Sequence, residues 1–457
     1  MINHNFPPQR RLRVLFSDPF GLARGKYIAY EIPDSDQPQA KNTHKSAIHD
    51  GQTRFCQGIY ALTLKKSWVD APGIGSVYGL SDFEARYFDA DIHAGWENNT
   101  LCVVSDLYDT QGAPFQLCGR GALKRAVAEW RKLGMTPQFG VELEGYIFER
   151  DAGGQLRPFD LPGGFCYGTG PALDPNGFLE KLWEAAQKAQ FRIAGFHSEF
   201  DAPQFEFALK FDQAVTAIDE IFLFKQMARE IAHHCGLVLT FMPKPIAHQS
   251  GSGVHFNLSF IDKSGRNLLA AGGGEDIADK TNPDKMTPLM RGVIAGLLHH
   301  HQGLAGLLAA SVNSYHRLKP ASLVGYWRNW GYDHRGVTVR VASDSGEHAR
   351  IEHRMGDASC NLYTAAAAIL QAARLGFIHQ YALPAAESKN CITECDATDG
   401  VGENLAAALR DLAADEKLIS AIGAELVANH IAVKTQEIID VAALNEISAR
   451  DYYLNYY

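Results

Sequence analysis

Residues 140–148 read GVELEGYIF. In an extended chain successive side chains point to opposite faces, so Glu142 and Glu144 share one face while Val141 and Leu143 take the other. Two carboxylates therefore point the same way. The pattern recurs down the chain. In SEFDAPQFEFAL (198–209), Gln204 and Glu206 oppose Phe205 and Phe207, and Glu199 sits where the chain enters the strand. In SGVHFNLSF (252–260), His255, Asn257 and Ser259 share a face, and in HARIEHRM (348–355) the set is Arg350, Glu352 and Arg354. A solvated strand face normally mixes Lys, Thr, Ser and Gln. These positions instead hold five glutamates, one histidine and no lysine, with arginines beside them, which suits a polar cleft better than an outer surface.

Crowded carboxylates repel one another unless cations sit among them. Hard oxygen ligands with a single imidazole suit magnesium or manganese, and the set is large enough for two such ions. Guanidinium forks bind phosphate and carboxylate and stay charged at any working pH. Carboxylates, divalent metals and arginines together describe phosphoryl transfer. Any nucleotide is held without the familiar loops, because GLARGK (21–26) has the wrong spacing for a phosphate loop and no G-x-G-x-x-G turn occurs. The absence of a G-x-S-x-G elbow weakens a hydrolase reading.

Around these strands the chain reads as α+β. Strand-like segments (139–148, 191–209, 236–242, 253–261, 336–342, 349–354) alternate irregularly with helices predicted at 177–190, 212–235, 287–311 and 358–376. The opening RLRVLFSDPFGLARGKYI (11–28) reads as strand, turn and strand, and the polar stretch 33–54 as a surface loop. The spacing of LCGRGALKRAVAEWRKLG (117–134) predicts an amphipathic helix, and the domain boundary is placed near 115. With 457 residues, 46% hydrophobic and 21% charged, the chain is long enough for two cores. A formal charge of −9 offers no basic field for nucleic acid. Eight scattered cysteines, of which Cys391 and Cys395 alone form a close pair, are read as filler, as reduced thiols of a cytoplasmic protein. Neither a secretory signal nor a membrane span is expected.

Six ordered motifs resemble the glutamine synthetase family, and within it the γ-glutamyl amine ligases acting on polyamines, ethanolamine or alkylamines. They are VELEGYIF (141–148), SEFDAPQFEF (198–207), TFMPKP (240–245) followed by SGSGVHFNLSF (250–260), NSYHRLKP (313–320), HRGVTVRVAS (334–343) and RIEHRMGDASCNLY (350–363). The resemblance covers about 115–375, with RVLFSDPFGLARGK (13–26) similar to the family's opening strand pair. It implies a small N-terminal β-grasp domain (1–115) and a large catalytic domain (116–457), the latter a curved antiparallel sheet, or half-barrel, flanked by helices. It implies that Glu144, Glu199 and Glu206 hold one magnesium or manganese ion, and that Glu142, His255 and Glu352 hold another. Arg335, Arg340 and Arg350 would contact ATP phosphates, with Arg335, Glu142 and Glu144 closest to the chemistry. Asn257 and Ser259 would lie near the nucleotide, while Arg317, Arg354 and Gly251 would hold glutamate. The implied reaction makes a γ-glutamyl phosphate with ATP and lets an amine displace the phosphate.

The sequence departs from ammonia-using members at several points. Leu323 stands where the flap glutamate of the ammonium pocket is expected, near Tyr326 and Trp327. The aspartate of that pocket has three candidates, Asp82, Asp89 and Asp91. Ser250 replaces the usual asparagine of the substrate loop, and SKNCITECDATDG (388–400) has no tyrosine for adenylylation. These departures favour a larger amine. The rival readings are a classical glutamine synthetase using ammonia, a non-catalytic structural relative, and a guanidino kinase. The resemblance also implies a homo-oligomer, with hexameric rings stacked as a dodecamer.

Overall fold

The computed structural model describes residues 10–30, 50–74, 80–270, 286–342 and 346–457. Most of the polar stretch 33–54, and Ser343 of the HRGVTVRVAS motif, lie outside the described residues. The N-terminal part is a small sheet domain. Arg10–Ser17 pairs antiparallel with Ala23–Tyr30 and parallel with Thr100–Val104, and His93–Ala94 completes four strands. A three-stranded sheet (Gly51–Cys56, Asp82–Tyr87, Asp106–Asp109) packs with it. Their shared core is aromatic: Phe16, Phe83 and Tyr60 meet edge-on, and Phe83 stacks on Phe115 with centroids 5.2 Å apart.

The large domain is built on Thr136–Arg150, a strand that turns Glu142 and Glu144 to the cleft while Val141 and Leu143 enter the core. Across the sheet the order is Ile193–Ser198, Gln204–Leu209, Thr136–Arg150, Val254–Ile261, Ile351–His353, Val339–Val341 and Trp330–Tyr332. Three short strands, Asp212–Gln213, Leu237–Thr240 and Leu156–Pro158, also pair with the central strand. All neighbours on the main path run antiparallel except the last pair, and the sheet does not close into a barrel.

Helices Gly119–Lys132, Ala214–His234, Pro288–His299 and Leu362–His379 cover the apolar face. The last is alanine-rich and buried along nearly its whole length. Small residues allow that: a Cβ on Gly296 or Gly376 would overlap backbone of the facing helix. Trp130, fully buried, gives its indole N–H to the Leu370 carbonyl at 2.9 Å, as a buried tryptophan requires.

Two predicted elements divide. The strand expected over 191–209 is a hairpin, Ile193–Ser198 and Gln204–Leu209, with Glu199 in its connection. The helix expected over 287–311 is Pro288–His299 followed by His301–Leu308, the chain turning at His300, whose Nδ1 lies 2.7 Å from Asp415. Among the described residues no helix is long and apolar enough to cross a membrane.

Candidate functional site

Strand register converts four separate patterns into one polar surface. Glu206 stands opposite Glu144, His255 opposite Glu142, and Glu352 opposite both Asn257 and Arg340. Directly opposed residues on one face hold their Cβ atoms about 5 Å apart. The side chains therefore meet without any loop having to bring them together.

His255 lies at the centre. Its Nδ1 is 3.3 Å from Glu142 and 3.5 Å from Glu352, and its Nε2 is 3.9 Å from Glu144. Ligand atoms of Glu142, His255 and Glu352 converge as one group, those of Glu144, Glu206 and His255 as a second, and those of His197, Glu199 and Glu206 as a third. The expected trio Glu142, His255 and Glu352 is thus assembled. The expected trio Glu144, Glu199 and Glu206 is joined by way of Glu206, which belongs to both neighbouring groups.

His197 was missed by the sequence reading. It faces Glu206 across the hairpin, with Nε2 3.2 Å from Glu199 and 3.7 Å from Glu206. Alternation carried two residues back from Glu199 would have found it.

The electrostatics of the cluster follow from crowding. Burial pushes the Glu206 carboxyl up, and the charges of Glu142, Glu144, Glu199 and Glu352 push it further, to about 9. Burial also works against Glu142, but hydrogen bonds from His255 and Asn257 and the Arg354 charge outweigh it and hold that group at about 2. Glu352 is likewise buried yet lowered, because Arg354, His255 and Arg340 surround it. A donor set of carboxylates with one or two imidazoles, carrying more negative charge than its protein partners balance, fits hard divalent cations.

The arginines divide between the two ends of the cluster. Arg340 Nη1 donates to Glu352 Oε2 at 2.9 Å, and Nη2 lies 3.6 Å from Asp333. Arg350 Nε donates to Asn257 Oδ1 at 3.1 Å, and Asn257 Nδ2 in turn donates to Glu142 at 3.1 Å. Ser259 donates to Gln138 at 3.3 Å. Beside these residues opens a cavity of about 250 Å³ lined by Glu142, Lys210, Phe211, Asn257, Ser259, His348 and Arg350. Phe211 is 52% exposed there. Sequence gave no signal for Phe211 or His348, since an aromatic beside a lysine after a strand has no distinguishing pattern.

At the other end, buried Arg317 donates from Nη1 to the Met355 carbonyl at 2.9 Å, and Arg354 reaches Glu352 and the Leu323 carbonyl. The Nε atoms of Arg317, Arg340 and Arg354 are buried without a hydrogen-bond partner among the described residues. Buried unsatisfied donors are costly, and an anion bound against any of them would relieve that cost. Gly251 packs on Arg317, where a Cβ would fall 2.6 Å from Cγ. The loop around it is held through backbone groups: Tyr146 donates to the Ser250 carbonyl at 2.9 Å, and Gln204 to the Gly251 carbonyl at 3.0 Å. Arg335 is exposed, on the turn between Tyr332 and Val339. None of Asp82, Asp89 and Asp91 joins the carboxylate groups; Asp89 accepts from Tyr30 at 3.2 Å.

The chain is similar to known proteins of one family. The glutamine synthetase catalytic-domain family matches residues 116–452. A glutamine synthetase of Pyrococcus horikoshii is 31% identical over 366 residues, covering 78% of each chain. One from Clostridium saccharobutylicum is 30% identical over 361 residues, covering 78% of this chain and 80% of its own. The gamma-glutamylputrescine synthetase PuuA of Escherichia coli is 28% identical over 376 residues, covering 80% and 75%. Among solved structures, apo GmaS superposes with a TM-score of 0.79 at 24% identity, covering 97% of this chain and 96% of that one, which speaks to the fold.

The family match over most of the chain defines the class, an ATP-dependent ligase. The relationship is specific enough to say more: the chain belongs to the glutamine synthetase family.

Proposed function

We propose that this chain joins an amine to the side-chain carboxylate of glutamate, or of a close analogue, through a γ-glutamyl phosphate formed with ATP. The observation that carries the choice of an amine over ammonia is Leu323. An apolar side chain, 43% exposed, stands where a carboxylate would gather ammonium. Its carbonyl is held by Arg354 at 3.3 Å, and the Tyr326 and Trp327 rings lie nearby in sequence, edge to face at 4.9 Å. An apolar wall cannot hold a small cation well but can cover carbon. The relative named for γ-glutamylputrescine synthesis supports the reading, and the glutamine synthetases among the relatives support the rival use of ammonia.

In this reading Glu142, His255 and Glu352 hold one magnesium or manganese ion, and Glu144, Glu199 and Glu206, aided by His197, hold a second. Bound there, the two cations supply charge neutralisation for the phosphoryl group. The protein's own groups do the positioning. Asn257, Ser259 and Arg350 line the nucleotide cavity, with Phe211 offering a ring face for a base. Arg340 and Arg335 meet the moving phosphoryl group. Arg317 and Arg354, with the Gly251 loop, orient the glutamate so that its side-chain carboxylate faces the terminal phosphate. We further propose a division at residues 1–115 and 116–457, a cytoplasmic location, and a homo-oligomer of stacked hexameric rings.

The test is phosphate release with glutamate, ATP and magnesium against ammonium, methylamine, ethanolamine and putrescine. An amine with carbon attached is expected to give the highest kcat/KM. Ammonium as the best acceptor would assign the chain to classical glutamine synthesis instead.

A further inference from the structure

Glu387, Cys391 and Cys395 lie on the irregular segment after helix Leu362–His379, outside the carboxylate site, and their ligand atoms converge. Cys391 Sγ is 3.1 Å from Cys395 Sγ, and Cys395 Sγ is 3.0 Å from Glu387 Oε2. Cys391 and Glu387 are buried and Cys395 is half-buried.

Glu387 is oriented by its backbone surroundings. Oε1 accepts from the N–H groups of Lys389 (3.2 Å) and Asp396 (2.9 Å), while Oε2 turns to the thiols. A single side-chain amide serves the group: Asn329 Nδ2 lies 2.9 Å from Glu387 Oε2, 3.3 Å from Cys391 Sγ and 3.4 Å from Cys395 Sγ. That nitrogen has two hydrogens for three acceptors. Packing alone does not account for such a group, because a buried cysteine ordinarily behaves as a small hydrophobe and has no need of a carboxylate. Two sulfurs and one carboxylate oxygen are a donor set for a borderline-soft cation, which would take its fourth ligand from solvent.

We propose that Glu387, Cys391 and Cys395 form a zinc-binding site that clamps the segment 387–397 against the paired strands Trp330–Tyr332 and Val339–Val341. Binding releases one proton from each thiol to solvent, so the site passes from one negative charge to a net of one negative charge with zinc bound. The clamp bears on the catalytic side through short links. Asn329 Oδ1 accepts from the Thr338 N–H at 3.1 Å, and His334 Nε2 meets the Lys389 carbonyl at 2.6 Å. A Cβ on Gly336 would fall 2.7 Å from the Asn390 carbonyl and 3.0 Å from Cys391 Cβ. Arg335 therefore sits between two residues that rest on the clamped segment, and zinc acts on it by positioning.

The experiment titrates the reduced full-length protein with cobalt(II) in excess magnesium, so that the carboxylate site is occupied, and follows thiolate-to-cobalt charge-transfer absorption. One equivalent with that band, displaced by zinc, is expected. The band is expected to vanish in Cys391→Ser/Cys395→Ser, and cobalt affinity to fall about tenfold in Glu387→Gln, which keeps both thiols. No band in the reduced wild type overturns the proposal, as does a band that survives in the double variant. Oxidation of Cys391 and Cys395 to a disulfide at an unchanged rate when zinc is present also overturns it. The wild-type titration stands even where a variant fails to fold.

Discussion

Gly251→Ala isolates the proposed glutamate end of the site. A methyl group there would lie 2.6 Å from Arg317 Cγ, 2.9 Å from Arg317 Cδ and 2.7 Å from the Pro243 carbonyl oxygen. Arg317 could turn away, but the Pro243 oxygen is backbone and already accepts from the Ser252 N–H at 2.8 Å. Both contacts cannot be relieved without displacing the loop or the arginine. Overpacking of this kind costs about 1–3 kcal/mol. If that cost falls on the loop and Arg317 in the glutamate complex, kcat/KM for glutamate drops about 5- to 150-fold, since 1.4 kcal/mol is a factor of ten. The proposed nucleotide end is built from Asn257, Ser259 and Arg350, none of which touches Gly251, so KM for ATP should stay within about twofold. Phosphate-release rates with each substrate varied in turn, together with a thermal melt, measure both. A loss shared equally between ATP and glutamate, with the melt unchanged, would refute the assignment of Gly251 and Arg317 to the glutamate.

Other changes probe different parts of the molecule. Leu323→Glu should raise kcat/KM for ammonium relative to alkylamines about tenfold or more by restoring a charged wall; an unmoved ratio counts against the amine pocket. Glu352→Gln leaves Arg340 and Arg354 facing a neutral group and should lower kcat about a hundredfold while raising the magnesium needed for half-activity, read from a metal titration. Lys434 and Glu437, both fully buried and 2.8 Å apart, form an ion pair that also takes the Tyr453 hydroxyl at 2.6 Å. Lys434→Met strands the carboxylate and should destabilise the fold by about 3–5 kcal/mol in urea, a loss under about 1 kcal/mol being the contrary result. Burial lowers His301 and His430 to about 4 in the folded chain, against about 6.5 unfolded. Between those values the unfolded state binds the extra protons, so this stability is complete above about pH 6.5 and is lost as pH falls towards 4. The slope is about 1.4 kcal/mol per pH unit for each histidine, and His430→Asn should flatten the urea-midpoint profile over that window by about one such share.

The sequence exposed the cleft because a strand has period two. Glu142 and Glu144, Gln204 and Glu206, and Arg350, Glu352 and Arg354 each declare a face without knowledge of any neighbour. Adjacency was not legible from residues alone: Glu206 opposes Glu144 only by virtue of a register between strands some sixty residues apart. The family resemblance implied that the two share an ion, not which strands pair. The polar run His299–Gln302 interrupts the apolar pattern in the sequence, but only the structure shows that the helix divides there, where His300 meets Asp415. His197 could have been found by carrying the alternation back through the hairpin. Phe211, His348 and the meeting of Cys391 with Cys395 and Glu387 depend on loops folding back, where periodicity is silent.

Under the proposed function, the short strand Ile351–His353 lets one surface serve two substrates. Period two sets Arg350, Glu352 and Arg354 on one face, and at about 3.3 Å per residue the outer two Cα atoms are roughly 13 Å apart. Arg350 is tied to Asn257 on the proposed nucleotide side, and Arg354 to the Leu323 carbonyl on the other. Glu352 lies between them, bonded to Arg340 and Arg354 and facing His255. Groups bound at the two arginines must therefore meet beside a carboxylate that the sheet itself fixes in place. A loop could bring the same residues together, but it would have to be ordered anew at each turnover. A ladder of backbone hydrogen bonds holds the spacing before any substrate arrives, and the rate gained by positioning depends on that rigidity.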